Sequence, residues 1–152
     1  MKFGIDRLLL DRAVRKPLDG RRVALLAHPA SVTADLTHSI DALAAHEDFR
    51  LTAAFGPQHG MRGEKQDNMI ETDDYKDPVY GIPVFSLYGK VRRPTPAMLE
   101  PFDVLLVDLQ DLGTRVYTFV TTLRYVLEAA ARLGKAVWVL DRPNPIGRPV
   151  EG

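Results

Sequence analysis

The stretch DVLLVDLQDLGTRVYTF, residues 103–119, decides the fold. An apolar run over 104–107 ends in a polar cluster of Asp108, Gln110 and Asp111, and a turn containing Gly113 then leads into a segment of helical period. A buried strand that hands over to a helix in this way belongs to an α/β sheet, where ligands bind beyond the carboxyl ends of the strands. Two other apolar runs end alike: 51–55 opens into GPQHGMRGEKQDN, and 136–140 opens into DRPNPIG. Three polar strand ends predict one shared cleft.

Working outward, RVALLA (22–27) is a strand with an almost unbroken apolar core, suited to a parallel sheet covered on both faces. A further strand is expected over 83–87. Between strands, Leu36, Ile40, Leu43 and Ala44 predict one apolar helical face. Near the start, Ile5, Leu8, Leu9, Leu10 and Val14 predict an opening helix closed by Pro17 and the Asp19-Gly20 turn. One helical turn is expected over 97–100. The long helix after the deciding strand places Phe119, Val120, Leu123, Val126, Leu127, Ala130 and Leu133 on one broad face, with Gly134 as its stop. The connection over 56–81 is long and polar, which marks it as functional or disordered. The alternation predicts a three-layer, Rossmann-like α/β domain with a mainly parallel sheet of about five strands. No helix follows the last strand, so another part of the protein or an oligomer partner is expected to cover that face.

The 152 residues suit a single domain with a sizeable core. Twenty lysines and arginines balance twenty aspartates and glutamates, so no overall field recruits nucleic acid or anionic lipid. Without cysteine, disulfides, thiolate metal sites and thiol nucleophiles are excluded. Charges at Asp6, Arg7, Asp11 and Arg12 interrupt the amino-terminal apolar run, and no run approaches the roughly 20 residues that cross a bilayer; a cytoplasmic chain is expected.

GPQHGMRGEK lacks the serine or threonine of a phosphate-binding loop, and no GxGxxG follows the first strand, which argues against a dinucleotide. No HxH or HExxH spacing supports a metal. His59, between a strand end and Gly60, is placed to donate to a sugar hydroxyl or carry a proton, or else to bond loop backbone; His28 divides the same way. His38 and His46 read as ordinary helix-region residues. Glu64 and Glu71 lie in the polar loop, and Asp108, Asp111 and Asp141 at strand ends. Paired carboxyl groups serve glycosidic cleavage, whereas strand-end aspartates also cap helices or hold arginines. Asp108 is the better candidate for a polar role, and Asp141 beside Arg142 the more structural one. Arg115 and Tyr117, at the start of the long helix, suit an anionic carbohydrate, by forking onto a carboxylate and stacking on a ring, or equally lock the helix to the loop bearing Asp111. The Arg92-Arg93 pair reads as a solvated turn.

The blocks FGPQHGMRGEKQDN, IPVFSLYG, RRPTPAML, DVLLVDLQDLGTRVYTF and VLDRPNPIG, in order from about Leu25 to the end, resemble the NamZ-type exo-β-N-acetylmuramidases of bacterial cell-wall recycling. The resemblance implies that residues 1–152 are the amino-terminal Rossmann-like portion of a larger protein whose smaller carboxyl-terminal domain is absent here. It further implies release of terminal N-acetylmuramic acid from the non-reducing end of peptidoglycan fragments, without an organic cofactor, in a cleft between the two domains. The partner expected is a small sugar or muropeptide, with no nucleic acid and no membrane.

Family members carry glutamate within GPEHG where this chain has Gln58, and an amide cannot act as a general acid. Glu64 is therefore the expected acid and Asp108 the base or stabiliser, with His59 as a third catalytic candidate. Gln58, Arg62, Gln110, Asp111, Arg115, Tyr117 and Asn144 are expected to bind the sugar and its lactyl carboxylate. Two rival readings remain at this point: a module that holds muramyl sugars without cleaving them, and a glycosidase for another amino sugar.

Overall fold

The computed structural model describes residues 2–63, 71 and 73–147. Its sheet contains β1 (Arg22–Ala27), β2 (Arg50–Gly56), β3 (Tyr75–Lys76), β4 (Pro83–Ser86), β5 (Val104–Asp108) and β6 (Ala136–Val139), in the spatial order β3-β4-β2-β1-β5-β6. All neighbours pair in parallel except β3, which runs antiparallel to β4. The five parallel strands are those expected from the apolar runs. β3 is the addition: two residues of the long polar connection that become a strand only by pairing Tyr75 with Val84 and Lys76 with Pro83.

The apolar runs are continuous because both faces of the sheet are covered. Val23 and Leu25 of β1 point into one cluster, with Ile5 and Leu8 of α1 (Gly4–Leu10) and Ile40 and Leu43 of α3 (Ser39–Ala44). Their neighbours Ala24 and Leu26 point into the other, with Leu99 of α4 (Pro96–Leu99), Phe102 and Val126 of α5 (Phe119–Arg132). The strand period of two thus feeds two cores at once.

Three helical expectations change. The opening segment is not one helix but α1 followed by α2 (Arg12–Arg15), because Asp11 leaves the helical region and its side chain accepts from the Ala13 N–H. Arg15 then donates to the carbonyls of Leu8 and Leu9 (3.0 and 2.7 Å), satisfying the open end of α1, and pairs with Asp48 at 2.5 Å. Leu36 lies outside α3, at φ 67° and 80% exposed, so that helix begins later than its pattern predicts.

The broad face expected of α5 is in fact a stripe. Phe119, Thr122, Val126 and Ala130 are buried, whereas Val120, Leu127 and Leu133 are 60%, 44% and 45% exposed. Nor is Arg92-Arg93 simply solvated: Arg92 lies over the Tyr88 ring at 3.9 Å and Arg93 over Tyr125 at 3.8 Å.

Order and connectivity locate the cleft. From β1 the chain moves outward to β2 and then β4, and afterwards crosses back to β5 and β6. The direction reverses between β1 and β5, so the crevice of an open parallel sheet opens at their carboxyl ends, beyond the paired residues Ala27 and Asp108.

Candidate active site

Beyond β1 comes His28, beyond β2 the turn Pro57-Gln58-His59-Gly60, and beyond β5 the segment from Leu109 to the start of α5. The β2 turn is tight. Gly60 N–H donates to the Pro57 carbonyl at 3.0 Å, and a side chain at Gly56 would come within 2.8 Å of the Met61 nitrogen, so only glycine fits there. His59 itself sits at φ 72°, a left-handed conformation that side chains other than glycine seldom adopt and that clusters at functional sites.

From the residue that precedes α5, Thr118 Oγ1 donates to Gln58 Oε1 at 3.2 Å. The Phe119 ring meets the edge of His28 with centroids 4.6 Å apart, and Tyr117 follows at 4.6 Å from Phe119. Gln58, His28 and the Tyr117–Phe119 pair are thereby joined across three strand ends. Tyr117 precedes the helix instead of opening it, on a turn closed by its N–H to Thr114 at 3.1 Å. Burial, aided by the charge of Asp111, raises its phenol above the ordinary range.

Asp108 is fully buried at the end of β5. Arg142, with a side chain only 4% exposed, forks onto it with Nε at 2.6 Å from Oδ1 and Nη2 at 2.9 Å from Oδ2. Ser39 also donates to Oδ2, Ser31 donates to the Asp108 carbonyl, and Arg142 Nη2 reaches the Val32 carbonyl at 2.6 Å. Both carboxylate oxygens are therefore engaged by donors of the fold itself. Where a base or stabiliser is expected, the geometry shows Asp108 as a tether joining the ends of β5 and β6 to the loop after β1. Arg142 turns to Asp108 across the sheet, not to its neighbour Asp141.

The other candidates divide. Gln110 donates to the carbonyls of Asp111 (2.9 Å) and Pro143 (3.0 Å), and Asn144 donates to Asp111 at 3.4 Å, so these three lace the loops after β5 and β6 together. Arg115 is exposed and forms no ion pair among the described residues. Arg62 forks onto Asp41 of α3 at 2.7 and 3.2 Å and lies 3.8 Å from Asp77. That pairing holds the Asp41 carboxyl below the usual carboxylate range. Glu64 lies outside the described residues. Among the described residues no group of three histidine, aspartate or glutamate side chains is arranged to hold a metal.

Sequence reasoning passed over Ser31, Ser39 and Thr118, and it took Phe119 only as part of the helix face and Arg142 only as the neighbour of Asp141.

Burial pushes the His28 imidazole down to about 4 from 6.5, helped by the neighbouring His59, His38 and Arg142 and opposed by Asp108. Burial lowers His38 as well. Between pH 6.5 and about 4 the unfolded chain binds a proton that folded His28 refuses, so its contribution to stability is complete above 6.5 and is lost as pH falls through this window. The expected slope from His28 is at most about 1.4 kcal/mol per pH unit, reduced by the ring's partial exposure. Urea midpoints at pH 7 and 5 should differ less in His28→Asn than in the unaltered protein; equal differences would remove His28 from the linkage.

Residues 23–152 match the family model described as exo-β-N-acetylmuramidase NamZ, N-terminal. The peptidoglycan β-N-acetylmuramidase NamZ of Bacillus subtilis (strain 168) is 49% identical over 147 residues, which are 97% of this chain and 35% of that protein. Two crystal structures of DUF1343 family proteins from Bacteroides fragilis NCTC 9343 share the fold. One has a TM-score of 0.83 at 44% identity, covering 96% of this chain and 35% of its own. The other has a TM-score of 0.74 at 28% identity, covering 95% and 35%.

Proposed function

Because this chain belongs to the NamZ exo-β-N-acetylmuramidase family, whose amino-terminal region it matches, we propose that it forms one wall of a glycosidase cleft. The full-length protein removes terminal N-acetylmuramic acid from the non-reducing end of peptidoglycan fragments, as a step of cell-wall recycling. The observation that carries this reading is the convergence at the reversal point of the sheet, where Gln58, His59, His28 and the Tyr117–Phe119 pair meet. An aromatic edge beside polar donors is the equipment that holds a sugar ring in a fixed orientation.

In this reading Tyr117 packs on the sugar and Gln58 and His59 address its hydroxyls. The laced loop of Gln110, Asp111 and Asn144 borders the lactyl side, where the exposed Arg115 is the cation that meets the carboxylate. Glu64 supplies the acid on sequence grounds, and His59 is the second group that carries a proton. Asp108 acts through Arg142 and does not touch the substrate.

A second reading has specific support. Gln58 stands where the family pattern carries glutamate, and its side-chain oxygen is engaged by Thr118, which suits a protein that holds muramyl sugars without cleaving them. Incubating the full-length protein with a chromogenic β-glycoside of N-acetylmuramic acid, and in parallel with the N-acetylglucosamine analogue, separates the alternatives. Release from the first is expected. Release from the second alone would point to another amino-sugar specificity, and saturable binding without release to the holding module.

A further inference from the structure

Three histidines share one local geometry. Nδ1 of His28 accepts from the Ala30 N–H at 3.2 Å, Nδ1 of His38 from Ile40 at 3.3 Å, and Nδ1 of His46 from Asp48 at 3.5 Å. A ring nitrogen that accepts from a backbone N–H carries no proton, so in His28 and His38 the proton of the neutral ring sits on Nε2. In His38 that proton is used inside the fold, with Nε2 3.1 Å from the His28 carbonyl.

His28 differs. Its Nε2 finds no hydrogen-bond acceptor among the described residues, yet it is not sealed from solvent. The ring stands against Phe119 at the reversal point of the sheet, and its backbone is clamped on both sides. The His28 N–H donates to Ser31 Oγ at 2.9 Å, the His28 carbonyl accepts from His38, and Ser31 in turn donates to the Asp108 carbonyl. A donor so firmly placed, and left unused, is arranged for a ligand.

We propose that His28 is a substrate-binding residue whose Nε2–H donates to the acetamido carbonyl of the bound N-acetyl amino sugar. The inference rests on the function proposed above and adds the group of the substrate that is read. An uncharged donor suits an uncharged acceptor, and the groups facing the ring keep it uncharged. Burial above all disfavours the cation, followed by the charges of His59, His38 and Arg142, against the opposite pull of Asp108. The carboxylate of the lactyl group would instead favour a cation such as Arg115.

Two substitutions divide a ligand role from a local backbone role. In His28→Asn the short amide still accepts from Ala30 but does not reach the Nε2 position; in His28→Gln the longer amide restores a donor near Nε2 and gives up the Ala30 contact. In the full-length protein, His28→Asn is expected to weaken binding of N-acetylmuramic acid by about ten- to a hundredfold and to raise KM more than it lowers kcat. His28→Gln should stay within about threefold of the unaltered protein. Muramic acid, which lacks the acetyl group, should bind the unaltered protein and His28→Asn with similar affinity.

Binding of N-acetylmuramic acid by His28→Asn at full strength overturns the proposal, as does an equal penalty for both sugars. Should either variant fail to fold, histidine-selective 15N NMR of the unaltered protein decides. The Nε2–H resonance of His28 is expected to shift with N-acetylmuramic acid and not with muramic acid, and no shift overturns the proposal. A shift without glycoside hydrolysis supports His28 and removes the hydrolase reading. Hydrolysis without a shift does the reverse, and neither shift nor hydrolysis removes both.

Discussion

Replacing Arg142 with alanine is expected to destabilise the protein by about 3–5 kcal/mol, read as a lower urea midpoint at unchanged m value. The size follows from what is left behind. Asp108 has no exposure, and the guanidinium satisfies both of its oxygens with paired hydrogen bonds at 2.6 and 2.9 Å. Without it a buried carboxylate keeps only the hydroxyl of Ser39, and the Val32 carbonyl loses its donor as well. Against a total stability of about 5–15 kcal/mol typical of single domains, such a loss is a large fraction. Arg142→Lys should recover part of it, because an ammonium supplies the charge but cannot fork onto both oxygens. A loss below about 1 kcal/mol would mean that the pair is hydrated and contributes little, as exposed pairs do.

The second large effect is on turnover. Glu64→Gln in the full-length protein is expected to lower kcat by about 10²–10⁴-fold with a much smaller change in KM, the pattern of a proton donor lost from the transition state. Gln58 cannot donate a proton as an acid, and Glu64 is the next carboxyl group along the chain, six residues on. Gln58→Glu serves as the companion variant. If near-normal turnover survives in Glu64→Gln, Glu64 leaves the mechanism. A rise in turnover with Gln58→Glu would then return the acid to position 58.

The strands were legible because burial on both faces of a parallel sheet demands unbroken apolar runs, and RVALLA and VLLVD carry them openly. β3 was not legible: Tyr75-Lys76 has no pattern of its own and is a strand by virtue of what lies beside it. The periodicity of α5 was visible, but its buried width was not. Thr122 is hidden and Leu127 half-exposed because the crossover lays only a narrow stripe of the helix on the sheet. Charged groups behaved likewise. Asp108 reads the same in sequence whether it faces a cleft or an arginine, and Arg142 is 34 residues away.

Local pattern alone was enough to predict a mainly parallel sheet of about five strands and their polar ends, since apolar period and turn chemistry act over a few neighbouring residues. The partners of each polar end were decided only by folding. Strand order brings Arg142 to Asp108, joins Thr118 to Gln58, and leaves His28 Nε2 without an acceptor among the described residues. These outcomes depend on which chain ends become neighbours across the sheet, a long-range consequence of how the apolar faces pack that no local spacing encodes.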